Sequence, residues 1–145
     1  MRWAITQTTK QYHSWKLEGI GFSAEIKYNK DVHSFRVIAD DQRLFFIERT
    51  GLLQQKFLLK TEYSVAAGEV HPTRSWQSGV AIFKEKKFHY ALKGNLLILA
   101  SRKQDFSLAI EMDSINPDPF EFCALLFGTL KIVSRIYHAE PVVAM

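Results

Sequence analysis

A single cysteine, Cys123, excludes a disulfide framework and a cysteine-rich zinc site. It lies in an apolar stretch, where a small buried hydrophobe is the expected role and a reactive thiol is not. The opening residues, Met1 to Lys10, lack the apolar core of a secretory signal, so a cytoplasmic protein is expected. Catalytic signatures are missing too: there is no Gly-x-Ser-x-Gly elbow, phosphate-binding loop, dinucleotide fingerprint or His-Glu-x-x-His pair. Glu111 and Asp113 share a strand face, as many exposed acids do. The histidines, His13, His33, His71, His89 and His138, offer no pair at metal-ligand spacing on one element. The expectation is a protein that is not an enzyme and has no metal and no cofactor.

A strong excess of one charge sign is missing as well. The formal net charge is +4 with a pI near 9.2, an excess that tolerates anionic partners without requiring them. Dedicated nucleic-acid binders carry a denser basic face, so nucleic acid is not an expected partner.

What the chain does have is aromatic bulk and alternation. Its 145 residues suit one domain, 1–145, and 13% of them are aromatic, eleven of these being Phe. Phe22, Ala24, Ile26 and Tyr28 fall on one face of a strand, with Ser23, Glu25 and Lys27 on the other. Further strands are expected at 33–39, 43–49, 57–59, 63–70, 80–84, 87–93, 96–101 and 106–112, with weaker candidates at 3–8 and 15–17. Turns fall at Asp40-Asp41, Thr50-Gly51, Thr61-Glu62, Glu85-Lys86 and Gly94-Asn95.

The strands give way to a C-terminal helix over about residues 119–138. Asp118 suits the N-cap, Pro119 the first helical position and Glu121 the far side of a capping box. Glu121, Gly128, Lys131, Arg135 and His138 form one narrow stripe, and the rest of the circumference is apolar. Such a helix must be surrounded. The apolar run between Glu121 and Lys131 spans roughly 14 Å, against a bilayer core of about 30 Å, so protein is the expected surrounding. About ten or eleven short strands at close spacing are the pattern of a sandwich or barrel, with this helix at the centre of the core.

Many short strands closed by an apolar helix resemble the Tubby C-terminal-like superfamily, which includes the LURP-one-related proteins and the phospholipid scramblases. The stretch Arg43-Leu44-Phe45-Phe46-Ile47-Glu48-Arg49-Thr50-Gly51-Leu52-Leu53, followed by Lys56-Phe57-Leu58-Leu59, is similar to the strand, glycine turn and strand units of the LURP-one group. Gly68-Glu69-Val70 and Lys87-Phe88-His89-Tyr90 resemble strand segments found there. The resemblance implies a mainly β fold, an antiparallel β-barrel of about ten to twelve strands around a hydrophobic C-terminal central helix, and a link to anionic phospholipid or a membrane surface. It supplies no lipid-binding signature that can be carried over residue by residue.

Two sets of side chains suit such a ligand. Lys84, Lys86, Lys87, Arg102 and Lys103 belong to two turns that simple strand reversal places at one barrel end. Asp40, Asp41 and Glu62 belong there by the same reasoning, so a mixed solvated surface is the plain alternative. Arg74 and Trp76 belong to the opposite end, where a tryptophan can anchor at a membrane interface or fold back as a plug. The functional expectation is a non-enzymatic binding module, cytoplasmic and peripherally membrane-associated. The alternatives are a protein-interaction or structural domain using an open strand edge, or an enzyme whose site has no recognisable spacing.

Overall fold

The computed structural model describes residues 1–19, 21, 24–38, 43–73, 75–101, 103, 106–113 and 118–138, with only the backbone at residues 54 and 135–138. Eleven strands run in order. They are β1 (Arg2–Thr8), β2 (Tyr12–Glu18), β3 (Glu25–Asn29), β4 (Ser34–Val37), β5 (Leu44–Thr50), β6 (Lys56–Thr61), β7 (Ala66–Pro72), β8 (Ser78–Phe83), β9 (Lys86–Lys93), β10 (Leu96–Ser101) and β11 (Phe106–Met112). The helix α1 (Pro119–His138) follows.

Each strand pairs antiparallel with the next, and the sheet closes on itself. An odd number of alternating strands leaves the first and last pointing the same way. Closure must then be parallel, and β1 meets β11 in parallel over Arg2↔Glu111 and Trp3↔Met112. The turns after β1, β3, β5, β7 and β9 form one rim, at which α1 starts; it is called the entrance rim below. The turns after the even-numbered strands form the exit rim.

Small barrels are filled by their own side chains, whereas eleven strands leave room for a helix. Here α1 takes that room. Every residue from Glu121 to Leu130 is buried. Its side chains meet strands all round: Thr129 reaches Trp3 of β1, Glu121 reaches β2, Phe127 stacks near Phe83 of β8, and Phe122 lies 5.6 Å from the Tyr90 ring of β9. Burying each such Leu or Phe contributes roughly 1.5–3 kcal/mol before entropy is charged. Two glycines allow the close fit. A Cβ on Gly128 would lie 2.1 Å from Ile26 Cδ1, and one on Gly68 of β7 would lie 2.8 Å from Phe127 Cε1.

The outer wall is charged, with exposed Lys16, Lys27, Arg36, Glu48, Lys87 and Glu111 on outward strand positions. A barrel spanning a bilayer needs an apolar band there. Among the described residues no helix is long and apolar enough to cross a membrane.

Several sequence expectations shift at their edges. The weak candidates near Trp3 and Trp15 are full strands. The strand expected from Tyr63 starts at Ala66, because Thr61 closes a wider turn: its Oγ1 accepts the N–H groups of Tyr63 and Val65, and Ser64 takes a left-handed conformation. The β8–β9 turn is centred on Lys84-Glu85, both at positive φ, and Lys86 already belongs to β9. The Asp40-Asp41 turn, Phe22 and Ser23 lie outside the described residues.

Candidate functional site

The barrel interior holds polar groups, and each has a structural task. At the helix start, Asp118 Oδ1 accepts the Glu121 N–H at 2.7 Å, which is the expected N-cap. The Glu121 carboxylate does not complete a capping box. It accepts the Trp15 indole N–H at 2.8 Å and pairs with His13 Nδ1 at 2.7 Å. The side chains of His13 and Glu121 retain 14% and 3% of their exposure. Further in, Trp3 donates its indole N–H to Thr129 Oγ1 at 2.8 Å, and that hydroxyl donates to the Leu125 carbonyl. Lys131 emerges toward the exit rim with Nζ 5.0 Å from the Phe45 ring centre. Among the described polar side chains of the helix, Glu121 thus meets β2, Thr129 meets β1 and Lys131 meets β5.

The entrance end, beside the helix start, contains Tyr28, whose hydroxyl lies 2.9 Å from His33 Nδ1, while the His33 ring stacks on Phe120 at 3.8 Å. Burial pushes the Tyr28 phenol up, helped by the Asp118 and Glu121 carboxylates, so it stays protonated. Burial likewise raises the Tyr90 phenol and the Cys123 thiol, which makes Cys123 a poor nucleophile. On the outer wall, a hydrogen bond from His71 and the charge of Lys56 hold the Glu69 carboxyl below the usual range. Among the described residues no group of three or more His, Cys, Asp or Glu could hold a metal ion.

The rims are where side chains face solvent. On the exit rim the tight β8–β9 turn exposes Lys84 beside Glu85, with Lys86 half-buried and Lys87 exposed on the outer wall. Lys103 is exposed in the β10–β11 connection. The two turns are separated by two strand spacings, roughly 10 Å. The topology brings these four lysines to one rim; Arg102 lies outside the described residues. The β6–β7 turn occupies the same rim, also about two strand spacings from Lys84. It presents Tyr63 at 76% and Val65 at 59% exposure, with Glu62 beside them. Sequence reasoning missed this apolar tip because tyrosine and valine read as strand formers. The signal was Thr61, whose hydroxyl can close a turn on the residues that follow.

Trp76 is on the opposite rim and folds inward. Its ring lies 5.0 Å from Phe122, and its carbonyl accepts the Tyr90 hydroxyl at 3.1 Å. It is half-buried as a plug over the helix start, so Trp76 and the four lysines cannot share one flat docking surface. Arg74, its expected companion, lies outside the described residues. The entrance rim also exposes Leu52 and Leu53, at 90% and 80%, on the β5–β6 turn. Comparison with protein-family models, with curated protein sequences and with solved structures finds no match to this chain.

Proposed function

We propose that the protein is a non-enzymatic binding module that docks its exit rim on an anionic phospholipid surface at the cytoplasmic face of a membrane. The observation that supports this is the juxtaposition on one rim of Lys84, Lys86, Lys87 and Lys103 with exposed Tyr63 and Val65. Lysines near an anionic leaflet contribute roughly 1 kcal/mol each. A tyrosine suits the interface, where its ring is apolar and its hydroxyl stays wet. The reading assigns to Tyr63 the aromatic role that Trp76 was expected to play. The interior, filled by α1, leaves the rims and outer wall as the working surface. The sequence resemblance to the Tubby C-terminal-like group points the same way.

Vesicle flotation tests the proposal. Phosphatidylcholine vesicles should retain little protein, and vesicles containing phosphatidylserine or a phosphoinositide should retain it at low salt and release it as salt rises. A Lys84→Ala/Lys87→Ala/Lys103→Ala variant removes about 3 kcal/mol, which is roughly a hundredfold in affinity. Absence of binding to anionic vesicles at low salt refutes the lipid reading, and equal binding to neutral vesicles refutes the electrostatic mechanism.

A further inference from the structure

Among the described residues, the large apolar side chains left exposed gather at the two barrel ends. Ile38, Tyr63 and Val65 stand on the exit rim, and Val32, Leu52 and Leu53 on the entrance rim. Met1, at the seam between β1 and β11, is the one other, and the outer wall carries none. The exit-rim group adjoins the lysines already assigned to lipid. The entrance-rim group lies on the opposite end and has no part in that surface.

The β5–β6 turn, Gly51 to Gln55, holds its leucines outward. Gly51 has φ 90 and Leu53 φ 61. The left-handed region disfavours leucine, and at 90% and 80% exposure Leu52 and Leu53 gain no packing inside the fold that offsets it. Strain of this kind is kept where the chain has a task. The β3–β4 turn stands about two strand spacings away, roughly 10 Å, and adds Val32 at 54% exposure. It is tied to β5, where the Ile47 N–H donates to His33 O. It is also tied to the β1–β2 turn, where Lys30 donates its N–H to Gln11 O and its Nζ to Thr9 O. Three consecutive turns thus form one ridge.

The ridge is basic. Lys10 and Lys30 make no salt bridge among the described residues, and Asp31 is the one acid on the three turns. Arg49 and Lys56 flank the leucine turn from below. Arg49 lies over the Phe57 ring at 5.5 Å, and the Lys56 stem runs past Gly51. The acids of the neighbouring wall are already met: Glu48 by Lys60 at 2.9 Å, and Glu69 by His71 at 2.7 Å with Lys56 farther off at 3.7 Å. Asp118, elsewhere on this rim, caps α1. Apolar tips above a collar of long basic side chains suit an anionic leaflet, with leucines at the acyl boundary and cations at the headgroups. A convex tip also needs no matching pocket in a fluid surface.

We propose that the β5–β6 turn is a second membrane-docking tip, so that the protein bridges two anionic bilayers, one on each rim. The bridge rests on the exit-rim reading for its first contact. The seven residues of β5 separate the rims by roughly 20 Å. That gap exceeds the Debye length of about 10 Å at 0.1 M salt, so the facing leaflets repel only weakly. Retention on a single vesicle is set by the lysines of the exit rim. The entrance tip acts when many copies already coat one vesicle and grip the next together.

Vesicles of phosphatidylcholine and phosphatidylserine, at the highest salt at which flotation still retains the protein, test the bridge. Dynamic light scattering should show the protein clustering them. Leu52→Gln/Leu53→Gln should float as before and cluster at least tenfold more slowly. Leu52→Cys carrying an environment-sensitive fluorophore reports the contact itself, since native Cys123 is buried. Its emission should be quenched when brominated acyl chains are present only in a second, protein-free vesicle population. Flotation without clustering overturns the bridge and leaves the exit-rim reading standing. Clustering that survives Leu52→Gln/Leu53→Gln, or that leaves the Leu52 label unquenched, means that one copy meets another, and also overturns it. Absence of flotation overturns the exit-rim reading and the bridge together.

Discussion

Gly128→Ala separates a helix inside the barrel from one lying on it. On an exposed helix face the change stabilises by about 1 kcal/mol, because alanine is the better helix former. Here the added methyl would stand 2.1 Å from Ile26 Cδ1 and 3.0 Å from Ile26 Cγ1. Ile26 is fully buried and cannot swing into solvent. Overfilling a packed core costs about 1–3 kcal/mol, so after the propensity gain the variant should lose up to about 2 kcal/mol. Ile26→Val removes the Cδ1 methyl and alone should cost about 0.5–1.5 kcal/mol. Combined, the new methyl occupies the vacated space, and the double variant should be more stable than the sum of the singles by about 1–2 kcal/mol. Urea unfolding followed by the fluorescence of buried Trp3 and Trp15 measures all three variants, with an unchanged urea slope confirming comparable unfolding. Stabilisation by Gly128→Ala, with simple additivity to Ile26→Val, would refute the reasoning.

Three further outcomes follow from individual contacts. His13→Ala leaves the buried Glu121 carboxylate with the Trp15 indole alone; the loss should be roughly 3 kcal/mol in the same unfolding assay, the low end for breaking a buried pair because His13 keeps some exposure. Asp113 bonds Arg2 and the Ile5 N–H, which hold its carboxyl below the usual range; the seam's contribution is complete above the unfolded-state carboxyl pKa and is lost as pH falls through the lower folded value, below about pH 4. Asp113→Asn should therefore lower stability at neutral pH and flatten its decline in acid, and a parallel decline in both proteins would contradict the assignment. Leu53 holds φ 61 while 80% exposed, so Leu53→Gly should raise the urea midpoint by about 0.5–1 kcal/mol of stability and leave vesicle binding unchanged, since Leu53 is on the rim opposite the lysines.

Local pattern made part of this fold legible. β10 and β11 are where alternation predicts them, because their inward residues, Leu97 and Leu99, Ile110 and Met112, repeat with a strand's period. The helix start was equally plain, since capping is settled among neighbours and Asp118 bonds Glu121 as its position suggests. Long-range pairing was not legible. Nothing local marks His13 and Trp15 as the partners of a carboxylate more than a hundred residues away, or Gly128 as the place where Ile26 enters. Tyr63 and Val65 misled because strand-forming residues stand on a turn whose closure depends on one hydroxyl. The lysine turns were placed correctly relative to one another, as strand reversal alone decides that. The inward fold of Trp76 depended on the rings of Phe122 and Tyr90, which only the closed barrel brings beneath it.

Native-state hydrogen exchange of the α1 amides tests the central claim most directly. If the helix is the centre of the barrel, it cannot open without the wall, and the amides from Leu125 to Leu130 should exchange only through global unfolding, with the same free energy as the β10–β11 ladder and the same dependence on urea. Exchange of those amides at markedly lower free energy than the ladder, with little dependence on urea, would mean that the helix leaves while the strands stay closed, and would contradict the account.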